Sequence, residues 1–309
     1  MDGILIIDKP AGPTSHDVVA RVRKVLKEKK VGHTGTLDPA ATGVLPLVLG
    51  SATKVSRYLT GGQKTYRARV RLGITTTTLD AEGEVTGEQP VTVSEAEVRA
   101  AAQRFVGEID QIPPMYSAKK VDGTRLYKLA RQGVEIEREA KRVTIFSLDI
   151  LEVALPEVSL DVRCSAGTYV RVLARDLGER LGCGGHLQAL RRLGAGPFTI
   201  DEAMTLQQVI DEPESVRARL LPIDRALGML PRIAVPADIG RMVRDGYQLA
   251  VGDLRTLDTP SFALDEALML TLDSGELVAI VRSLVPSTAL EGNRRDERAL
   301  VTERVFGRA

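Results

Sequence analysis

The sequence predicts an α+β fold in two parts, residues 1–230 and residues 231–309. Three observations predict it. Alternating strand-like runs and capped amphipathic helices interleave irregularly over the first part, which a strict βαβ series would not do. Leu230-Pro231 and Val235-Pro236 then bracket a change of texture, beyond which only short strand-like runs occur. The length of 309 residues also exceeds the usual size of one domain.

The elements follow in chain order. Residues 3–8 (GILIID) form a short buried strand, stopped by Lys9-Pro10 and the turn residues Ala11, Gly12 and Pro13. Thr14 with Asp17 makes a capping box for a helix whose Val18, Val22, Val25 and Leu26 share one face. Arg21, Lys24 and Lys27 fall largely on the other side. Residues 66–73 (YRARVRLG) alternate as a half-buried strand with arginines outward. Ser94 and Glu97 cap a second helix, with Val98, Ala101 and Phe105 facing inward. Pro113-Pro114 breaks the chain before a basic stretch. Residues 158–164 alternate again, and residues 169–181 read as a helix ended by Gly182. Beyond residue 231, runs 267–272 and 276–281 suggest a small, mainly β domain. Tandem repeats and low-complexity tracts are absent.

No run of 18 apolar residues occurs, which excludes a helical membrane span. The N-terminus lacks the basic region of a signal or transit peptide. Cys164 and Cys183 make no disulfide framework and suit a reducing compartment, so a soluble cytoplasmic protein is expected. Net charge is +1, but charge is segregated. Residues 21–30 carry six basic side chains against Glu28, and residues 119–142 carry eight against four acids. Residues 80–110 compensate with eight acids against Arg99 and Arg104. This suits a basic face for a polyanion, and equally a set of solvated helix faces.

Several chemistries lack their residues. His16, His33, His186 and the cysteines have no zinc-ligand spacing, so no metal is expected. The phosphate-loop frame, the G-x-S-x-G elbow and the dinucleotide fingerprint are missing, and no cofactor is expected. What remains is acids, arginines and tyrosines. In GHTGTLDPAATGVL (residues 32–45), Gly35 and Pro39 let the backbone turn sharply around one acid, Asp38. Taken singly, Asp38 reads as turn chemistry, Arg171 as a solvated helix residue, Tyr66 as core and His33 as a loop histidine.

Four ordered motifs resemble those of the bacterial TruB family, tRNA pseudouridine synthases that act in the TΨC loop. They are Asp8-Lys9-Pro10 with 12–17 and then GHTGTLD, Lys64-Thr65-Tyr66, CSAGTYVR (164–171) with LARDLG (173–178), and GGHL (184–187) with LRRL (190–193). The resemblance implies a pseudouridine-synthase mixed-sheet catalytic domain over 1–230. It also implies a thumb insertion at about 114–142 and a PUA-like RNA-binding domain over 231–309. It further implies Asp38 as nucleophile, Tyr66 as active-site aromatic and Arg171 as partner of the aspartate. Leu190 and Tyr169 would line the base pocket, His33 would fill the vacated stack, and Lys9 and Pro10 would support the loop. Lys64, Lys120, Arg125 and Arg191 complete the expected RNA-binding set. The implied substrate is tRNA at position 55, bound through its T-stem-loop and its acceptor end. The thumb implies action without guide RNA, and nothing in the sequence suggests more than a monomer.

The reaction suits these residue types. Uridine loses its C1′–N1 bond and gains a C1′–C5 bond, with no oxidation or hydrolysis. An ionised carboxylate held by a guanidinium can add at C1′ or C6, or stabilise charge at the sugar. The target base must first leave its stack. Two other readings stand beside this one. A non-catalytic tRNA-binding or tRNA-folding protein would not need Asp38, Tyr66 and Arg171 together. A nucleoside glycosidase would need a second carboxylate to handle water.

Overall fold

The computed structural model describes residues 1–117, 120–121, 124–125, 134 and 136–307. Its centre is a ten-stranded mixed sheet. The strands are β1 (Gly3–Lys9), β2 (Val31–His33), β3 (Thr42–Leu49), β4 (Lys64–Leu72) and β5 (Gly107–Gln111). β6 (Lys141–Ala154), β7 (Glu157–Cys164), β8 (Gly185–Ala195), β9 (Phe198–Thr199) and β10 (Met204–Thr205) complete it. The order is β10-β1-β3-β8-β4-β7-β6-β5, with β2 beside β3 and β9 folded back on β8. β1 runs parallel to β10 and β8 parallel to β3; the remaining pairs are antiparallel.

The strand patterns explain the layering. In β4, Tyr66, Ala68, Val70 and Leu72 are buried while Arg67 and Arg69 face solvent, the alternation of a strand covered on one side. β1 is apolar from Ile4 to Ile7 because both its faces are covered. Leu5 and Ile7 join the main core, and Ile4 and Ile6 join a second core behind the sheet.

The longest helices on the main-core face are α1 (Ser15–Leu26), α2 (Glu95–Gln103) and α3 (Val170–Arg180), and two short helical turns add Val209 and Val216. Both expected capping boxes are formed, Thr14 with Asp17 and Ser94 with Glu97. α3 lies against β8 and ends in Gly182 at φ +75°. At Gly178 the helix passes so close to the chain that an added Cβ would sit 2.2 Å from the carbonyl carbon of Gly184. A second close approach occurs where β3 meets β8. There Gly43 has φ +99°, and a Cβ would lie 2.1 Å from the Arg192 carbonyl oxygen.

A four-stranded sheet follows, made of β11 (Arg232–Val235), β12 (Ala267–Leu272), β13 (Leu277–Ser283) and β14 (Leu300–Val305). One face packs on its own core, including Ile233, Val243 and Leu270. From the other face Met269 and Ile280, with Phe306 just past β14, join Ile4, Ile6, Val44 and Val48 behind β1 and β3. The two sheets therefore share a core. Within the expected thumb, the described backbone includes a short ribbon, Lys120–Val121 against Thr124–Arg125; most of 118–133 lies outside the described residues.

Gly178→Ala should destabilise the fold by about 2 kcal/mol or more, because both contacting groups are backbone and cannot yield cheaply. Urea unfolding would register this as a lower midpoint with an unchanged slope; a midpoint equal to that of the unmodified chain would contradict it.

Candidate active site

Asp38 sits on the loop between β2 and β3, and almost every carbonyl of that loop is engaged. The Arg192 guanidinium donates to Gly35 O at 3.1 Å and Thr36 O at 3.3 Å, and its Nε donates to Val44 O at 2.7 Å. Ser15 Oγ donates to Leu37 O at 3.1 Å and accepts from Leu37 N–H at 2.9 Å. The Ala41 N–H donates to Asp38 O at 3.1 Å. Lys9 Nζ donates to Pro39 O at 2.9 Å, Ala41 O at 2.7 Å and Pro10 O at 2.9 Å. Lys9 and Arg192 are both fully enclosed. Burial pulls the Lys9 ammonium down to about 8.

Arg171, second residue of α3, reaches the same loop. Its Nη2 lies 3.0 Å from Asp38 Oδ2 and donates to Tyr116 O at 2.8 Å, while Nη1 meets Asp80 Oδ2 at 3.3 Å. One guanidinium thus serves two carboxylates. Asp80 is further held by the Thr78 hydroxyl and the Glu82 N–H, so it has little capacity left to activate a water. Asp38 keeps 46% of its side-chain surface open, but that surface faces a confined concavity. Burial there pushes its carboxyl up from the ordinary value. Arg171 pulls it back, Asp80 adds to the rise, and Lys9 opposes it.

The concavity has a volume of about 280 Å³. Asp38 and Arg171 form one end, Tyr66, Leu187 and Leu190 supply ring and aliphatic surface, and Lys64, Tyr169 and Ser117 also line it. Burial raises the Tyr66 phenol above its ordinary value, so it is a neutral phenol at physiological pH. Lys64 Nζ donates to Gly62 O at 2.6 Å and Thr60 O at 3.2 Å, and burial lowers its ammonium to about 8. The Tyr169 backbone is pinned by Gln111, whose Oε1 accepts from Tyr169 N–H at 3.0 Å and whose Nε2 donates to Tyr169 O at 3.4 Å.

Of the residues expected from sequence, Asp38, Tyr66, Arg171, Leu190, Tyr169 and Lys64 converge on this concavity. Lys9 stands behind the loop, and Pro10 supplies it one acceptor. His33 lies beyond the lining, its ring 5.3 Å from that of His16 in an edge-on arrangement. Burial, then His16 and Arg192, lower its pKa. Arg191 points to the opposite side of β8, where it grips Asp8 through two bonds of 3.0 and 2.7 Å and lines a separate cavity with Pro10. Its neighbour Arg192 faces Asp38's side instead. The side chains of Lys120 and Arg125 lie outside the described residues.

Sequence reasoning missed Asp80, Gln111, Arg192 and Ser117 as parts of this site. The only local signal for Asp80 was an acid closing a polar Thr run, TTTTLD.

The chain matches two family descriptions, "TruB family pseudouridylate synthase (N terminal domain)" over residues 23–170 and "tRNA pseudouridylate synthase B C-terminal domain" over 171–228. It is 53% identical over 252 residues to the tRNA pseudouridine synthase B of Ralstonia nicotianae, covering 80% of each chain. It is 49% identical over 255 residues to that of Burkholderia mallei, covering 82% of this chain and 84% of the relative. A solved chain from a Cbf5–Nop10–Gar1 complex superposes with a TM-score of 0.78 at 29% identity, over 99% of this chain and 85% of that one. A chain from an archaeal box H/ACA Nop10–Cbf5 complex gives 0.76 at 28%, over 99% and 86%.

Because the Asp80 charge raises the Asp38 carboxyl, Asp80→Asn should lower the titration midpoint of Asp38. Carboxyl-carbon NMR on the labelled chain reads this directly. A midpoint that stays put or rises would show that Asp80 acts on Asp38 only by holding Arg171.

Proposed function

The chain belongs to the TruB family of pseudouridylate synthases, and on that premise we propose that it isomerises uridine 55 in the T-loop of tRNA. The observation that carries the reading is the Asp38–Arg171 pair, 3.0 Å apart at the end of a concavity with Tyr66 in its wall. A flipped uracil meets a flat aromatic face and aliphatic walls there, and its sugar meets one carboxylate.

Each side chain has a role on this reading. Asp38, ionised and held by Arg171, adds to C1′ or C6, or stabilises the charge that develops at the sugar as the C1′–N1 bond breaks. The uracil turns within the concavity, C5 joins C1′, any bond formed to Asp38 breaks to return the carboxylate, and the proton lost from C5 is balanced by one gained at N1, so that the product is an isomer of the substrate. Tyr66 keeps the ring stacked and, as a neutral phenol, serves by contact and hydrogen bonding. Tyr169 and Leu190 hold the base, and Lys64 adds positive charge. Among the described residues that line the concavity, no second free carboxylate stands beside Asp38, and Asp80 is committed to Arg171, Thr78 and the Glu82 N–H, which counts against hydrolysis. His33 is assigned to the vacated stack in the T-loop, and the small C-terminal sheet domain to the acceptor end of the tRNA. The enzyme acts in the cytoplasm as a monomer without guide RNA. No helix among the described residues is long and apolar enough to cross a membrane.

The test is tritium release from a T-stem-loop RNA labelled at uridine C5, with no other RNA or protein present. The unmodified chain should release label. Asp38→Asn should lose at least about three orders of magnitude in rate while binding RNA within a few-fold of normal. Equal release by both would sink the nucleophile assignment. Release by neither, with tight binding by both, would make the chain an RNA-binding protein on this fold.

A further inference from the structure

Ser117 is buried, 4% exposed, and its hydroxyl has no hydrogen-bond partner among the described residues. Such a group costs free energy in the free protein, because a buried hydroxyl stripped of water normally finds a partner. The segment that carries it is well anchored. The Ser117 N–H donates to Met115 O at 2.9 Å, and Tyr116 O accepts from Arg171 Nη2 at 2.8 Å. The backbone just before the hydroxyl is thus tied to Arg171 through Tyr116 O.

Its surroundings indicate what it meets. Ser117 lines the same concavity as Asp38 and Tyr66. The Tyr116 carbonyl and the Asp38 carboxylate lie on either side of a single nitrogen, Arg171 Nη2, so Ser117 stands at the carboxylate end of the concavity. Asp38 has to reach the sugar or the adjoining edge of the base, so the ribose of a bound uridine lies at that end. Thr60 and Thr168, two other hydroxyls in the lining, already donate to Ser56 O at 2.8 Å and Ser165 O at 2.9 Å. The two terminal nitrogens of Arg171 are taken by Asp38, Asp80 and Tyr116 O, and its Nε, without a partner among the described residues, can donate but cannot accept. A ribose 2′-hydroxyl both donates and accepts, as a serine does, and it is the group that separates RNA from DNA.

We infer that Ser117 is a specificity-determining residue that hydrogen-bonds the 2′-hydroxyl of the target uridine and makes the site prefer ribose to deoxyribose. This rests on the reading of the concavity as a uridine site, so the experiment separates the two. The inactive Asp38→Asn chain, with and without Ser117→Ala, is titrated with a T-stem-loop RNA carrying either uridine or 2′-deoxyuridine at the target alone. With Ser117 present, the deoxy substitution should weaken binding by about three- to tenfold, the scale of one hydrogen bond. With Ser117→Ala, the two RNAs should bind alike. The same ratio in both chains, whatever its size, overturns the inference. A lower Tm for Ser117→Ala also overturns it, because the hydroxyl would then have a structural partner in the free protein. Tritium release by the unmodified chain on the uridine RNA reports separately on the proposed reaction.

Discussion

The site depends on two enclosed cations, Lys9 and Arg192, that each donate to three backbone carbonyls. Burying a charge is costly unless charge-assisted hydrogen bonds replace water, and here each cation makes three. What that cost provides is a loop with almost no conformational freedom. Gly35, Thr36, Leu37, Asp38, Pro39 and Ala41 all have their carbonyls engaged, so the one carboxylate on the loop is fixed before any ligand arrives. The sheet serves this arrangement: Lys9 ends β1, Arg192 sits on β8, and β3 between them carries the loop.

Electrostatics then set the state of that carboxylate. One guanidinium, Arg171, is divided between Asp38 and Asp80, so neither acid is fully compensated. Asp80 is buried deeper and has two further donors, which leaves Asp38 as the less satisfied of the two. A carboxylate held this way is less stabilised than in a private ion pair, which favours reactivity over stability.

Much of the fold was legible locally. The capping boxes at Thr14 and Ser94, the alternation in β4 and the glycine after α3 are short-range patterns, and they read correctly. Asp38, Tyr66 and Arg171 came together as a set only through motif resemblance; taken singly, each looked structural. What stayed hidden is what tertiary contact creates. Asp80 and Tyr116 meet Arg171 from 91 and 55 residues away, and Gln111 meets Tyr169 from 58. The Arg191–Arg192 pair illustrates another limit. Adjacent strand residues face opposite ways, and which arginine faces the loop depends on irregularities in β8 between Leu187 and Ala189 and between Arg192 and Gly194. A bulge leaves no mark in the hydrophobic pattern.

The core shared between the two sheets bears on how the chain is made. β1 leaves the ribosome well before β12 and β13, and its Ile4 and Ile6 share a core with Met269, Ile280 and Phe306. During translation the back of β1 and β3 stays only partly covered, by residues such as Val55, Leu59 and Phe198, until the four-stranded sheet docks. Such an order leaves part of an apolar sheet face waiting, a period in which a holding chaperone has a surface to grip.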